Sequence, residues 1–389
     1  MTTPREWYVL LEDGTELDGL GVAADTPAVG ELVFTTSMAG YQEAMTDPSY
    51  AGQLIVFAFP QIGNYGVMEA AMESDRVHAR AAIMREAVNR ETAPGAEAGW
   101  CQWLNDCGIP AITGVDTRVL VRHIREAGAM RGGVFPRRVD TAQARALIAA
   151  ELPMTGRDLA REVSPGQTLV LEPTGPAPED VPSVRIAMID TGVKRSIVEN
   201  LRVRGATVEL HPCADTPGQL LANSPDAVFL ANGPGDPGAL DYIVATVREC
   251  VGRLPVYGIC LGHQLLCRAV GLDTYKLPFG HHGANHPVKD LTTGITEITS
   301  QNHGFAVLGP GGARTIEDDE PVRWETDFGV AELTHINLYD RTVEGLVLRD
   351  VQGATVQYHP EAGPGPNDAV HLFDRFISEI EQAAATTRS

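Results

Sequence analysis

The apolar positions of this chain follow two different patterns, and the change comes near residue 184. Over residues 1–150, short β-branched and aromatic runs at 7–11, 30–36 and 53–60 are broken by turn residues such as Ala39-Gly40, Asp47-Pro48 and Ile62-Gly63-Asn64. Short apolar runs bounded by Gly, Pro, Asn or Asp predict strands. One helix is predicted from Thr117, with Val119, Leu120, His123 and Ile124 on one face and an end near Gly128. Strands and helices mixed in this way predict an α+β or layered β domain.

Residues 184–189 form a continuous apolar run ending in Asp190-Thr191-Gly192, as expected for a parallel strand covered on both faces. A helix is predicted at 194–204, a strand at 206–210, and a strand at 227–231 ending in Asn232-Gly233-Pro234-Gly235-Asp236. A helix at 241–251 and a strand at 255–259 follow. This alternation predicts an α/β domain with a doubly wound, mostly parallel sheet between helices. Residues 165–183 are rich in Pro, Glu and Gly with little periodicity and read as a linker. The expected division is a first domain at 1–150, a linker at 151–183 and a second domain at 184–389. A length of 389 residues suits two domains, and no internal repeat is visible.

Sites in doubly wound sheets lie at the carboxyl ends of the strands. The strand at 255–259 runs into Gly258-Ile259-Cys260-Leu261-Gly262-His263, one cysteine between two glycines. That is the form of a nucleophile elbow, a sharp strand-to-helix turn whose crowded neighbours must lack side chains. The following helix would point its N-terminal amides at the sulfur. Cys213, Cys250 and Cys267 read instead as buried structural thiols.

A thiol nucleophile needs a base, and His359 with Glu361 offers one at the end of a strand predicted at 354–358. Positions i and i+2 on extended chain share a face, so imidazole and carboxylate can lie side by side. The carboxylate would fix the tautomer and stabilise the imidazolium. The distance in sequence from Cys260 is no objection, because such triads are defined by geometry. The turn from Gly233 to Pro237 has two readings. It is either a rigid connection or a set of amides aimed, with the Leu261 amide, at a developing oxyanion. It is no phosphate loop, since no Lys-Ser/Thr follows it and the chain has only Lys194, Lys276 and Lys289.

Charge removes some function classes. With 30 basic and 51 acidic residues the formal charge is −21, which disfavours nucleic acid or an anionic membrane as partner. No apolar run is long enough to span a membrane, and residues 1–12 lack the form of a signal peptide. Six cysteines without a C-x-x-C pair suggest reduced thiols and a cytoplasmic location. His281, His282 and His286 match no recurrent zinc spacing, so no metal is expected. His123 and His303 are expected to serve as hydrogen-bonding groups.

The segment from Gly258 to Gln264 and the signature His359-Pro360-Glu361 resemble the class I, triad-type glutamine amidotransferases, whose catalytic domain is flavodoxin-like. Residues 279–287, 300–305, 46–50, 59–66 and 115–118, with Leu120 and Arg131-Gly132, resemble the small-subunit family of carbamoyl-phosphate synthetase in particular. This likeness covers nearly the whole chain, including the first domain.

The resemblance implies a glutaminase half-reaction with Cys260 as nucleophile, His359 as base and acid, and Glu361 as third member. It implies an oxyanion hole from the amides of Gly233 and Leu261. It also implies that Ser49, Gly235, Gln264, Asn302, Gly304 and Phe305 hold L-glutamine. Ammonia would pass through a tunnel to a separate large synthetase subunit in a heterodimer or higher oligomer. That subunit would bind ATP, Mg and bicarbonate, leaving no cofactor in this chain. Gly363 departs from the family pattern, which has a serine there. Two other readings are an amidotransferase for a different synthase, of the anthranilate or aminodeoxychorismate type, and a non-catalytic regulatory subunit. The domain at 1–150 speaks against the first and the intact triad against the second.

Overall fold

Strands covered on both faces account for the continuous apolar runs. In the computed structural model, which describes residues 5–175, 184–317 and 319–388, the chain divides into two units. One comprises Met1–Arg157, Pro278–Gly283 and Gly363–Gly365; the other comprises Asp158–Leu277, Ala284–Ala362 and Pro366–Ser389.

The first unit is built on a closed barrel. Its strands follow one another around the ring as Arg5–Leu11, Glu16–Gly21, Ala111–Thr113, Ala81–Ile83, Gln53–Phe57, Ala28–Thr35 and Met130–Pro136. Successive residues of one strand serve different apolar clusters: Trp7, Val9 and Leu11 join one, and Tyr8 and Leu10 another. The predicted helix is present as Thr117–Ala127, with Asp116 Oδ1 accepting from the Val119 amide as its N-cap. Its buried face is narrower than expected. Thr117, Leu120 and Ile124 are buried and Val121 packs partly against the same cluster, but Val119 is 53% exposed.

The second unit carries an eleven-stranded sheet. Its centre is parallel, in the order Thr207–Pro212, Arg185–Asp190, Ala227–Leu230, Val256–Ile259, Gly353–Val356. Helices Asp241–Cys250 and Leu261–Ala269 cover one face, where Val228, Leu230, Val247 and Leu265 meet. Helices Arg195–Arg202 and His371–Arg388 cover the other, where Phe229, Tyr257, Leu201 and Phe376 meet. Antiparallel strands Val343–Leu348, Gly329–Asn337, Thr274–Asp290 and Thr296–Val307 extend one edge.

Part of the stretch expected to be linker is ordered. It contains helix Ala160–Val163 and strand Leu169–Leu171, which pairs antiparallel with Thr207–Pro212 as the other edge. A three-residue strand with Leu169 and Val170 about half exposed leaves no periodicity to read. The rest of that linker, residues 176–183, lies outside the described residues. Among the described residues no helix is long and apolar enough to cross a membrane.

Candidate active site

Four neighbouring parallel strands end on the same side of the sheet, and their ends lead into the loop before Lys194, the glycine-rich turn at Gly233, Cys260 and His359. Strand Val256–Ile259 delivers Cys260, which sits at φ 55° and ψ −105° immediately before helix Leu261–Ala269. A non-glycine residue in that region is strained by about 1–3 kcal/mol and persists only where its surroundings over-determine it. Here they do. A Cβ on Gly258 would lie 2.8 Å from the Gly262 carbonyl carbon, and a Cβ on Gly262 would be driven into the Leu230 carbonyl. The Cys260 amide donates to the Val356 carbonyl at 2.9 Å, tying the elbow to the next strand. The thiol is 2% exposed and donates toward the Asn302 carbonyl oxygen at 3.6 Å.

That next strand, Gly353–Val356, leads to the base. Sequence periodicity predicts His359 and Glu361 on extended chain, but the strand ends at Val356. His359 forms an isolated bridge with Ser300, donating its amide to the Ser300 carbonyl at 2.9 Å, and the chain then turns. The two side chains meet because of the turn, not through strand periodicity. His359 Nδ1 lies 2.6 Å from Glu361 Oε1, and both groups are buried. Burial by itself would push the imidazole pKa down, but the Glu361 carboxylate and the Cys260 sulfur outweigh it and hold His359 well above its ordinary value. Burial opposes ionisation of Glu361 as well, yet Lys194 and His359 pull its carboxyl well below the usual range.

Lys194 joins this pair without any expectation from the sequence. It is 2% exposed, and its Nζ donates to Glu361 Oε1 at 2.9 Å and to the Ala362 carbonyl at 2.7 Å. A cation just before the first turn of helix Arg195–Arg202 opposes the helix dipole, so its placement answers to the carboxylate and not to the helix. The loop before it is fixed locally. Asp190 Oδ1 accepts the Gly192 and Val193 amides at 2.8 Å each, and Asn232 Oδ1 accepts the Lys194 amide at 3.0 Å. One of only three lysines, set directly after a strand's carboxyl end, was the available signal.

The other expected residues are distributed as follows. Gly233 packs so closely that a Cβ would enter the Thr191 carbonyl and lie 3.1 Å from the Leu261 side chain, so the glycine-rich turn adjoins the elbow. Gly235 takes φ 95°, a conformation that suits glycine. Gln264, on the elbow helix, donates Nε2 to the Phe305 carbonyl at 2.9 Å and to Gln357 Oε1 at 3.0 Å. Asn302, Gly304 and Phe305 lie on strand Thr296–Val307. Lys276 Nζ stands 5.0 Å from the centre of the Phe305 ring. Ser49 lies in the barrel unit, buried in the short 3-10 turn Pro48–Tyr50, where its amide donates to Asp47 Oδ1 at 2.8 Å.

Comparison with known proteins places both units in families. The family model for "Glutamine amidotransferase class-I" matches residues 187–379, so the second unit is of that class. The model for "Carbamoyl-phosphate synthase small chain, CPSase domain" matches residues 9–134. Relatives named carbamoyl phosphate synthase small chain align over almost their whole length. The one from Chlorobaculum tepidum is 43% identical over 96% of this chain and 97% of its own. The one from Thermus thermophilus is 41% identical, covering 96% and 93%. The one from Archaeoglobus fulgidus is 40% identical, covering 96% and 98%. The chain belongs to the carbamoyl-phosphate synthase small chain family.

Proposed function

We propose that this chain is the glutamine-hydrolysing subunit of a carbamoyl-phosphate synthase and that Cys260, His359 and Glu361 are its catalytic triad. The observation that carries this reading is the strained thiol at the elbow beside a buried imidazole whose Nδ1 is already committed to Glu361. With Nδ1–H held there, Nε2 is the nitrogen left to exchange a proton with the sulfur.

His359 takes the thiol proton and the Cys260 sulfur bonds to the side-chain carbonyl carbon of L-glutamine. The amides of Gly233 and Leu261 stabilise the oxyanion of the tetrahedral intermediate. The C–N bond breaks as His359 gives the proton to the departing nitrogen, releasing ammonia and leaving a glutamyl thioester. Water, deprotonated by the same imidazole, then cleaves the thioester to glutamate and restores the thiol. Lys194 keeps Glu361 ionised, so the carboxylate remains a counter-charge for the imidazolium at each step.

Ser49, Gly235, Gln264, Asn302, Gly304 and Phe305 hold the glutamine backbone and its charged groups. The ammonia passes to a large synthase subunit in the same cytoplasmic heterodimer, which binds ATP, Mg and bicarbonate and forms carbamoyl phosphate. In this assignment residues 1–150 are the small-chain domain, 151–183 a connection and 184–389 the amidotransferase domain. The test is Cys260→Ser in the assembled complex. Glutamine-dependent synthesis should vanish while synthesis from added ammonia persists. Retained use of glutamine would remove Cys260 from the chemistry.

A further inference from the structure

Beneath the segment 302–305 lies a row of buried polar side chains whose donors and acceptors can be counted. Thr299 has one hydroxyl proton, and Oγ1 donates it to the His286 carbonyl at 2.9 Å. Its oxygen can therefore only accept from the Gln301 amide group 3.2 Å away, so the group turned toward it is Nε2. The same nitrogen donates to Glu344 Oε2 at 3.0 Å. This fixes the amide orientation, and Gln301 Oε1 is left facing His303 Nε2 at 2.9 Å. An amide oxygen carries no proton, so His303 Nε2 must donate. His303 Nδ1 faces the Phe305 carbonyl oxygen at 2.7 Å, a second pure acceptor, so it must donate as well.

A ring that donates from both nitrogens is an imidazolium. Its counter-charge is one amide away. Glu344 is 0% exposed and accepts from Gln301 Nε2 and, at 3.0 Å, from Asn337 Nδ2, one amide donor on each oxygen. A neutral arrangement would need the Gln301 amide turned over. Its oxygen would then face the Thr299 oxygen, whose proton is already used, and Glu344 would have to take up a proton. The charged arrangement satisfies the Thr299, Gln301, His303 and Asn337 contacts described above. The Phe305 carbonyl also accepts from Gln264 Nε2 at 2.9 Å, so two donors, one of them cationic, pin the backbone at that point. Three residues earlier, the Asn302 carbonyl receives the Cys260 thiol at 3.6 Å.

We infer that His303 stands as an imidazolium in the resting protein, counter-charged by Glu344 through Gln301, and that this relay positions the segment 302–305. That the positioned segment binds glutamine rests on the function proposed above; the charge assignment does not. Gln301 and Glu344 are positioning residues, since they act on the segment through His303 and not on the substrate.

Two measurements test it. The first is nitrogen NMR of the full chain with labelled histidine side chains at neutral pH, with His303 assigned by its loss in His303→Gln. Both ring nitrogens should carry protons, and one bare nitrogen would overturn the charge assignment. The second is Gln301→Met in the complex with the large chain. KM for glutamine should rise about tenfold with kcat within about threefold and ammonia-dependent synthesis unchanged, the loss expected for one buried charge-assisted bond. An unchanged KM would overturn the positioning role. If the variant also loses ammonia-dependent synthesis it has failed to assemble, and the NMR result on the unaltered chain decides alone. A protein with the imidazolium signature that never hydrolyses glutamine would refute the proposed function and leave the charge assignment standing.

Discussion

Replacing Lys194 with Met keeps the length and the apolar stem of the side chain and removes only its charge. Two charge-assisted hydrogen bonds disappear, at 2.9 Å to Glu361 Oε1 and 2.7 Å to the Ala362 carbonyl. Glu361, fully buried at its side chain, keeps its ion pair with His359. Removing one member of a buried ion pair costs about 3–5 kcal/mol, mostly because the remaining charge stays desolvated. Among the effects that keep the Glu361 carboxyl ionised Lys194 is the largest, so that carboxyl becomes easier to protonate in the variant. A protonated Glu361 no longer stabilises the imidazolium, and glutamine-dependent kcat should fall roughly 10²-fold, within the usual range for acid–base catalysis. The assay is steady-state glutamine-dependent synthesis by the complex, with ammonia-dependent synthesis as the control for assembly and urea unfolding of the chain for stability. A kcat within about twofold of the parent, together with unfolding unchanged to within about 1 kcal/mol, would refute the role given to Lys194.

Gly262→Ala should destabilise the second unit by about 3 kcal/mol or more, because its Cβ has nowhere to go but the Leu230 carbonyl. Thermal melting followed by circular dichroism checks this, and a melt matching the parent would contradict the packing of the elbow. Stability should also fall on acidification. Burial, with His335 nearby, pushes His263 from 6.5 down to about 3. Burial likewise pushes His335 from 6.5 down to about 4, although Asp290 pulls it partly back. Both rings stay neutral in the fold between pH 6.5 and 5 while the unfolded chain takes up protons. Each therefore removes stability as pH falls through that window, with a slope that rises from about 0.7 kcal/mol per pH unit at pH 6.5 toward about 1.4 near pH 5. Urea midpoints at pH 7 and pH 5 should differ accordingly, and equal midpoints would contradict it.

The parallel sheet of the second unit was legible because strands buried on both faces write themselves as unbroken apolar runs. The runs at 184–189, 227–231 and 255–259 lie over the strands observed, with ends displaced by only a residue or so. The elbow was legible because two glycines at fixed offsets from one cysteine have few other uses. The closure of the barrel was not, since Glu16–Gly21 and Ala81–Ile83 are short and their partners distant in sequence. Lys194 and the Gln301–Glu344 relay were hidden for a related reason. Each is a single polar residue whose meaning depends on which buried atom faces it, and periodicity carries no information about that. His359 and Glu361 show the opposite case: the pairing was anticipated, but through strand alternation, where the structure uses a turn.

The central claim is that the Cys260 sulfur becomes covalently bonded to the glutamyl group. The most direct measurement is acid quenching of the complex during turnover with isotopically labelled L-glutamine, followed by mass spectrometry of the peptides. The account predicts a labelled glutamyl adduct on the peptide carrying Cys260, absent in Cys260→Ser and at every other cysteine. Glutamine turnover with no adduct at Cys260, or with the adduct on another residue, would contradict it.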